Sequence, residues 1–205
     1  IEDASAFQAE HNPEGRRPVI GMATRFASEK GVEILLDALP KVLARYSDML
    51  VLYAGQYADV MGEEAYFARL SPVIEQYQAH GQWKFLGVLN PIQMSTFYPA
   101  LDVLVVPSLN STETFGLVQI EAMLNGVPTV ASNLPGVRQP PTMTGMGLVV
   151  PIGDADALAD ALLEIFANPE KFKGNPTEIA RTFEPRANAQ AYEKLYRELL
   201  NELGD

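Results

Sequence analysis

The sequence predicts an α/β fold in which a six-stranded, mostly parallel sheet lies between two layers of helices. Short apolar segments alternate with longer amphipathic segments from Val19 onward, as in folds built from strands joined by helices. Six such strands interleaved with helices imply a parallel sheet that is covered on both faces. A chain of 205 residues with 47% apolar content can bury the core of one large domain.

The predicted strands are the short apolar runs. They cover residues 19–23, 50–55, 83–88, 101–106, 127–132 and 148–150.

Helices are predicted between these strands. Apolar residues recur at steps of three and four over residues 32–46, which places one apolar stripe on the first helix. Pro40 should interrupt and kink it, because proline lacks an N–H and its ring crowds the carbonyl of Leu36. The next helices are predicted within residues 63–78, near 93–98 and over about 116–125, the last of them ended by a glycine.

The last part of the chain is predicted to hold one loop and two helices. Residues 133–147 contain three prolines and three glycines, so we expect an irregular loop at the carboxyl edge of the sheet, where ligands bind in such folds. Asp154 should cap a helix that runs to Ala167. The apolar face of the final helix is formed by Tyr192, Leu195, Tyr196, Leu199, Leu200 and Leu203.

The amino-terminal residues differ from the rest in composition. Residues 1–18 are polar, contain Pro13 and Gly15 and show no apolar periodicity, so they are predicted to be a linker or an extension from a preceding region. Regular structure should begin near Val19, and residues 19–205 should form the domain, including the carboxyl-terminal helices. The chain begins with Ile1 and not with methionine, which suggests a piece of a longer protein.

The composition excludes several classes of function. Fifteen basic residues against 26 acidic residues give a net charge of −11, which argues against a general nucleic-acid-binding protein. The sequence has no cysteine and only two histidines, His11 and His80, so we expect no disulfide and no metal site. No apolar run approaches the roughly 18 residues of a spanning helix. We expect a cytoplasmic protein, with any membrane contact made peripherally through a further domain.

Two carboxylates bracket a predicted junction between a strand and a helix. Glu113 and Glu121 are eight positions apart after the strand at 101–106. The first N–H groups of a helix lack partners and carry partial positive charge, so the junction suits a phosphate or a sugar. The two carboxylates lie at most about 12 Å apart along the helix axis. We interpret them as hydrogen-bond acceptors for hydroxyls, one set on a sugar and the other on a ribose; the alternative is a pair of solvated glutamates.

Two cations occupy the first turn between a strand and a helix. Arg25 and Lys30 follow the strand at 19–23 in an otherwise acidic chain, and they are well suited to a diphosphate. A solvated surface pair is the alternative. Neither GxGxxG nor GxxxxGK[ST] follows this strand, so the sequence has neither the dinucleotide fingerprint nor the P-loop at this turn.

With these residues the chain resembles the carboxyl-terminal, donor-binding domain of a GT-B glycosyltransferase. It is most similar to the retaining glycosyltransferase family 4, the glycosyl transferases group 1, and the resemblance covers nearly everything from residue 19 onward. The further matching segments are Phe85-Leu86-Gly87, Leu101-Asp102-Val103 to Pro107-Ser108, Glu121-Ala122-Met123 leading to Gly126-Val127-Pro128, Val130-Ala131-Ser132, and Val149-Val150-Pro151 leading to Asp154.

The resemblance implies a Rossmann-like domain and a catalytic role for three residues. Arg25 and Lys30 would hold the donor diphosphate and stabilise the charge of this leaving group. Glu113 would contact the donor sugar, and we interpret it as positioning the sugar and not as a nucleophile.

The resemblance also implies the remaining donor contacts. Glu121 would bind the ribose, and backbone amides of Phe115, Gly116 and Leu117 would face the sugar and the phosphate. Main-chain groups near Leu89 would contact the base.

The reaction implied by the resemblance is transfer of a hexosyl unit from a nucleoside diphosphate sugar to an acceptor hydroxyl. The anomeric configuration would be retained, and no metal or other cofactor would be needed. Two departures from the family stand out. Gln139 occupies a position where the family commonly has glutamate, and the amino-terminal domain that supplies most acceptor contacts lies outside these 205 residues. The fragment alone should therefore be inactive, and the exposed face of its last helix should favour self-association.

Two other functions stay open on the sequence. One is a non-catalytic module that binds a nucleotide sugar. The other is a GT-B relative with different chemistry, such as a sugar-nucleotide epimerase. The sequence does not identify the base, the sugar or the acceptor.

Overall fold

The six predicted strands are present in the computed structural model, which describes residues 4–202. Each lies within one or two residues of its predicted bounds, so the predicted α/β class is confirmed. The strands are β1 Val19–Ala23, β2 Leu50–Ala54, β3 Trp83–Gly87, β4 Val103–Val106, β5 Thr129–Ser132 and β6 Gly147–Val150.

The strands form one sheet in the order β3-β2-β1-β4-β5-β6, and each pairing within residues 4–202 is parallel. Ile20 in the centre of the sheet lies opposite Val51 on one side and Val103 on the other. The order reverses between β1 and β4. In a doubly wound sheet this reversal opens a crevice at the carboxyl ends of the two strands, where ligands bind.

Helices cover both faces of the sheet. α2, α3 and α7 pack on one face, and α1, α4 and α5 on the other. Short 3-10 helices cover Ser28–Lys30, Tyr98–Ala100 and Pro169–Phe172. The α-helices are α1 Ala4–His11, α2 Val32–Leu43, α3 Glu64–Ala79, α4 Pro91–Phe97, α5 Leu117–Leu124, α6 Gln139–Thr144, α7 Ala155–Ala167, α8 Pro176–Thr182 and α9 Pro185–Glu202.

Alternate residues of the inner strands enter two separate apolar cores. Val51 and Tyr53 of β2 pack beneath α2 and α3, whereas Leu50 and Leu52 pack on the opposite face with α1 and α4. This arrangement follows from the strand period of two, which sends successive side chains to opposite faces of the sheet. Because both faces are buried, β1, β2 and β4 are apolar along their whole length, whereas the edge strand β3 carries Lys84.

α2 has the predicted apolar stripe, but it is not broken at Pro40. The helix continues through Pro40 to Leu43, with the proline exposed on the side away from the core. Val32, Leu35 and Leu39 are fully buried against the sheet. The predicted cap of α7 is confirmed, because the Asp154 side chain accepts a hydrogen bond from Ala157 N at 2.9 Å.

The expectation that regular structure begins near Val19 is wrong, because α1 precedes it. The helix is held by one buried side chain, Phe7, whose ring packs edge-on against Phe97 at 6.4 Å and against His11 at 4.4 Å. One apolar anchor in eight residues produces no periodicity, so the sequence pattern did not reveal it. The role of residues 1–18 as a linker or extension stays a prediction.

The expectation of a wholly irregular loop over residues 133–147 is also wrong, because α6 lies within it. Its prolines, Pro140 and Pro141, stand in the first turn, where a missing N–H breaks no hydrogen bond within the helix. Gly145 ends the helix in the left-handed conformation, and its N–H donates to Pro141 O at 3.0 Å. α8 was not predicted either; Asn175 caps it, and Ile179 anchors it in the core.

The final helix exposes its apolar face. Tyr192, Leu195, Tyr196, Leu199 and Leu200 are all exposed, while Leu203 lies outside the described residues. None of the helices within residues 4–202 combines the length and the hydropathy needed to cross a membrane.

We predict that the chain self-associates through this face of α9, because contact between two such faces would remove apolar area from water. Sedimentation velocity should show a mass that rises with protein concentration, and Leu195→Glu together with Leu199→Glu should restore the monomer. Lys194→Glu together with Asn201→Glu adds acidic residues to the polar side of the same helix and should leave association unchanged. A parent chain that stays monomeric at every concentration would contradict the prediction.

Candidate functional site

The loops that follow β1 and β4 meet at the carboxyl edge of the sheet, where the strand order reverses. Leu109 N donates a hydrogen bond to Glu29 O at 2.9 Å and so joins the two loops. Gly31 adopts a left-handed conformation with φ 69°, and a β-carbon added there would lie 2.1 Å from Pro107 O. The two loops are therefore in direct backbone contact.

Other loops at this edge are packed in the same way. A β-carbon at Gly55 would lie 1.9 Å from Thr24 O, and Gly55 N donates to Gly87 O at 2.7 Å. A β-carbon at Gly136 would lie 1.6 Å from Thr114 O. The loops after β1, β2, β3, β4 and β5 thus support one another through their backbones, and they fix the positions of the side chains that they carry.

Lys30 and Glu113 form an ion pair at the centre of this edge. Lys30 Nζ lies 2.8 Å from Glu113 Oε2, although the residues are 83 positions apart. Their side chains are 13% and 23% exposed, so the pair is largely shielded from water but open on one side. The structure thus brings together two of the predicted catalytic residues. They border a narrow pocket that is also lined by Met22, Ala23, Thr24, Pro107, Ser108 and Val118.

Arg25 lies at the rim of the same edge and is 55% exposed. Its guanidinium Nη2 donates to Glu29 Oε1, one helical turn further on and only 13% exposed. Burial raises the pKa of Glu29, but the hydrogen bonds from its own backbone N–H and from Arg25 outweigh burial, so the pKa lies below its ordinary value. Glu29 is therefore a carboxylate at neutral pH and holds Arg25 in place. This partner of Arg25 was not predicted, although the spacing of four residues could have indicated it.

The amino terminus of α5 opens toward the same edge. Glu113 lies in the loop before α5 and Glu121 lies within the helix, as predicted. Gly116, in the left-handed conformation, occupies the N-cap position and has no side chain with which to cap the helix. The first amides, beginning at the exposed Leu117, are the groups that this arrangement offers to an anion.

A buried glutamine fixes the loop that precedes α5. Gln119 is fully buried, and its Nε2 donates to Phe115 O at 3.2 Å and to Val137 O at 2.9 Å. Its Oε1 accepts a hydrogen bond from Thr129 Oγ1 at 3.1 Å. Gln119 therefore ties Phe115 to β5 and to the loop that follows it. Gln119 was not predicted as a site residue; the signal for it was a polar side chain on an apolar helix face.

Glu121 is exposed on α5, and its carboxylate accepts a hydrogen bond from Tyr98. Tyr98 was not among the predicted site residues. Leu89 follows β3, at the same edge of the sheet as the other loops, and is half-buried. Gln139 Nε2 donates to Pro135 O at 2.9 Å, so this glutamine closes its own turn.

Comparison with known proteins identifies the family of the chain. The sequence model for the glycosyl transferases group 1 matches residues 3–200. A phosphatidyl-myo-inositol mannosyltransferase of Mycobacterium leprae is 29% identical over 196 residues, which are 94% of this chain and 50% of the relative. A D-inositol 3-phosphate glycosyltransferase of Corynebacterium jeikeium is 33% identical over 190 residues, 90% of this chain and 44% of the relative. The chain therefore spans about half the length of the curated relatives it matches.

The fold of the chain is also similar to that of solved glycosyltransferase-family structures over nearly its whole length. The structure of HepE from Anabaena, in complex with UDP and glucose, superimposes with a TM-score of 0.78 over 94% of this chain and 51% of that chain, at 24% identity. This likeness confirms the Rossmann-like fold of a GT-B domain. Together with the match over residues 3–200, the fold and the relatives place the chain in the glycosyl transferases group 1 family.

Proposed function

We propose that this chain is the donor-binding domain of a retaining glycosyltransferase that uses a nucleoside diphosphate sugar and needs no metal. The observation that carries the proposal is the contact between Lys30 and Glu113 at the point where the strand order reverses. One cation and one carboxylate lie 2.8 Å apart there. A donor substrate has the matching groups, a diphosphate next to a ring that bears hydroxyls.

The diphosphate would bind to Lys30, Arg25 and the first amides of α5, including that of Leu117. As the glycosidic bond breaks, negative charge grows on the departing diphosphate, and fixed donors in a partly shielded site stabilise that charge. Lys30 is suited to this task because its side chain is held in a pocket. Arg25 is exposed at the rim, and the N–H groups that do not contact Glu29 can contact a phosphate.

Glu113 would position the donor sugar. Its Oε2 is occupied by Lys30, which leaves Oε1 as an acceptor for a sugar hydroxyl. A carboxylate that is held by a lysine in this way is suited to orienting the ring for reaction. The base would lie near Leu89 and the ribose near Glu121, along the same edge of the sheet.

The named relatives support this reading of the site. Those from Mycobacterium leprae and Corynebacterium jeikeium are named as sugar transferases, and HepE was solved with UDP and glucose. In this proposal other parts of a longer enzyme contact the acceptor and make any contact with a membrane surface in the cytoplasm. The 205 residues alone are then inactive. Calorimetric titration with a panel of UDP, GDP and ADP sugars tests whether the chain binds a donor, and failure of the whole panel to bind would contradict the proposal.

Replacing Glu121 with alanine should weaken binding of the recognised nucleotide by about tenfold, because the ribose loses a charged hydrogen-bond acceptor worth ~1.4 kcal/mol. Calorimetric titration measures this change. Glu75→Ala removes an exposed glutamate from α3, on the other face of the sheet, and should leave the affinity unchanged. Equal affinity in Glu121→Ala and in the parent would refute the ribose assignment.

A further inference from the structure

Tyr98 is a buried residue with its one side-chain polar atom directed at the proposed donor site. It opens the 3-10 helix after α4, and only 2% of the residue is exposed. Its ring packs against Phe97 at 5.3 Å and lies in the core cluster that contains Leu104 and Ala122. A ring that is this deeply buried and closely packed is held in one orientation, so its hydroxyl points in a fixed direction.

That hydroxyl donates a hydrogen bond of 2.5 Å to Glu121 Oε2 across the gap between the end of α4 and α5. Burial, followed by the hydrogen bond and the charge of Glu121, raises the pKa of Tyr98 well above its ordinary value. Tyr98 is therefore protonated at neutral pH and acts as the donor. Glu121 itself is an exposed helix residue; without this contact its side chain would be free to adopt several rotamers.

We propose that Tyr98 is a positioning residue for donor binding: it holds Glu121 Oε2 and so directs Oε1 toward the hydroxyls of the donor ribose. This inference rests on the proposed function, because it deepens the role assigned to Glu121. The physical gain is preorganisation. A carboxylate that is already held in its binding orientation loses less side-chain freedom when the ribose arrives.

The competing interpretation is that Tyr98 only fills the core and that Glu121 only satisfies its hydroxyl. Tyr98→Phe separates the two, because it keeps the ring and removes the donor. If the tyrosine is merely structural, the variant is less stable but binds nucleotides as the parent does. If it positions Glu121, the variant loses affinity, and only for ligands that have ribose hydroxyls.

The experiment is calorimetric titration of the parent and of Tyr98→Phe with UDP, GDP and ADP, each beside its 2′,3′-dideoxy analogue. For whichever nucleotide binds, we expect Tyr98→Phe to weaken the ribonucleotide roughly fivefold and to leave the affinity of the dideoxy analogue unchanged. Equal loss for both ligands, or no loss for either, would overturn the inference. Circular dichroism establishes that each variant is folded at the temperature of the titration.

Tyr66→Phe is a matched control. Tyr66 is also a buried tyrosine whose hydroxyl donates to a glutamate, Glu33, but the pair joins α2 and α3 on the other face of the sheet. This variant should lose stability like Tyr98→Phe and keep the parent's affinity for each ligand. An equal loss of ribonucleotide affinity in Tyr66→Phe would overturn the inference, because it would show a general effect of losing a buried hydroxyl.

Glu121→Ala distinguishes failure of this inference from failure of the proposed function. If Glu121→Ala loses the preference for the ribonucleotide and Tyr98→Phe keeps it, the ribose assignment stands and the positioning role of Tyr98 is wrong. If the parent binds ribonucleotide and dideoxy analogue equally, or binds none of UDP, GDP and ADP, the ribose role of Glu121 fails and the inference fails with it.

Discussion

Replacing Lys30 with alanine should weaken the binding of nucleoside diphosphates about a hundredfold, or ~2.8 kcal/mol, and leave nucleosides nearly unaffected. Two effects combine in this variant. The diphosphate loses the ammonium that the structure places at the centre of the carboxyl edge, and Glu113 loses its cation while staying largely shielded from water. An unpaired carboxylate beside a phosphate repels it. Calorimetric titration with a nucleoside and with its diphosphate measures both affinities.

Three further variants sharpen this test. Lys41→Ala removes an exposed lysine that pairs with Asp160 on the outer helices, and it should change neither affinity. Lys30→Ala combined with Glu113→Gln removes the unpaired charge and should recover part of the lost diphosphate affinity. Lys30→Arg keeps the cation and should be the mildest change. If nucleoside and diphosphate lose affinity equally in Lys30→Ala, the phosphate role of Lys30 is wrong.

Replacing Gly31 with alanine should lower the free energy of unfolding by about 3 kcal/mol or more. The left-handed conformation at φ 69° accounts for roughly 1–2 kcal/mol of this loss. The rest arises because the new β-carbon would lie 2.1 Å from Pro107 O, a backbone atom that cannot move without shifting the loop after β4. Urea denaturation monitored by circular dichroism measures the change.

Gly145→Ala supplies the matched control. Gly145 has the same φ of 69°, but apart from its own neighbours in the chain no atom of the described residues lies within 4 Å of a β-carbon built there. Its substitution should therefore cost only the conformational part, roughly 1–2 kcal/mol. The difference between the two variants isolates the contact between the loops. Equal losses would mean that the loops after β1 and β4 adjust freely to one another.

Most of the fold could be predicted because its elements are encoded locally. A parallel strand that is buried on both faces is an apolar run, and all six runs became strands of the sheet. The exact bounds of each element were less predictable. β4 begins at Val103 and not at residue 101, because residues 101 and 102 connect the preceding 3-10 helix to the strand. α1 was not predicted because it is anchored by the single buried side chain of Phe7. α6 was not predicted because it contains two prolines, which the helix tolerates only in its first turn.

The sequence indicated which loops carry Lys30 and Glu113, but it did not indicate the contact between them. Lys30 and Glu113 could be chosen from the turns that carry them, yet their pairing depends on two loops that are 83 positions apart in the chain. Tyr98 and Gln119 could not be chosen, because each acts by reaching a neighbouring element through the core. A pattern along the chain indicates which face of an element a residue occupies, but it does not indicate which polar atom of a neighbouring element the side chain contacts.

The backbone contacts at Gly31, Gly55 and Gly136 have a consequence for protein engineering. If one loop were replaced by the corresponding loop of a relative, its backbone would follow a different path and would clash with neighbouring loops that fit only the original path. Chimaeras that aim at a new ligand should therefore exchange the touching loops as a set. Single replacements at outward-facing positions such as Leu117 leave those contacts intact, and they offer the gentler route to altered selectivity.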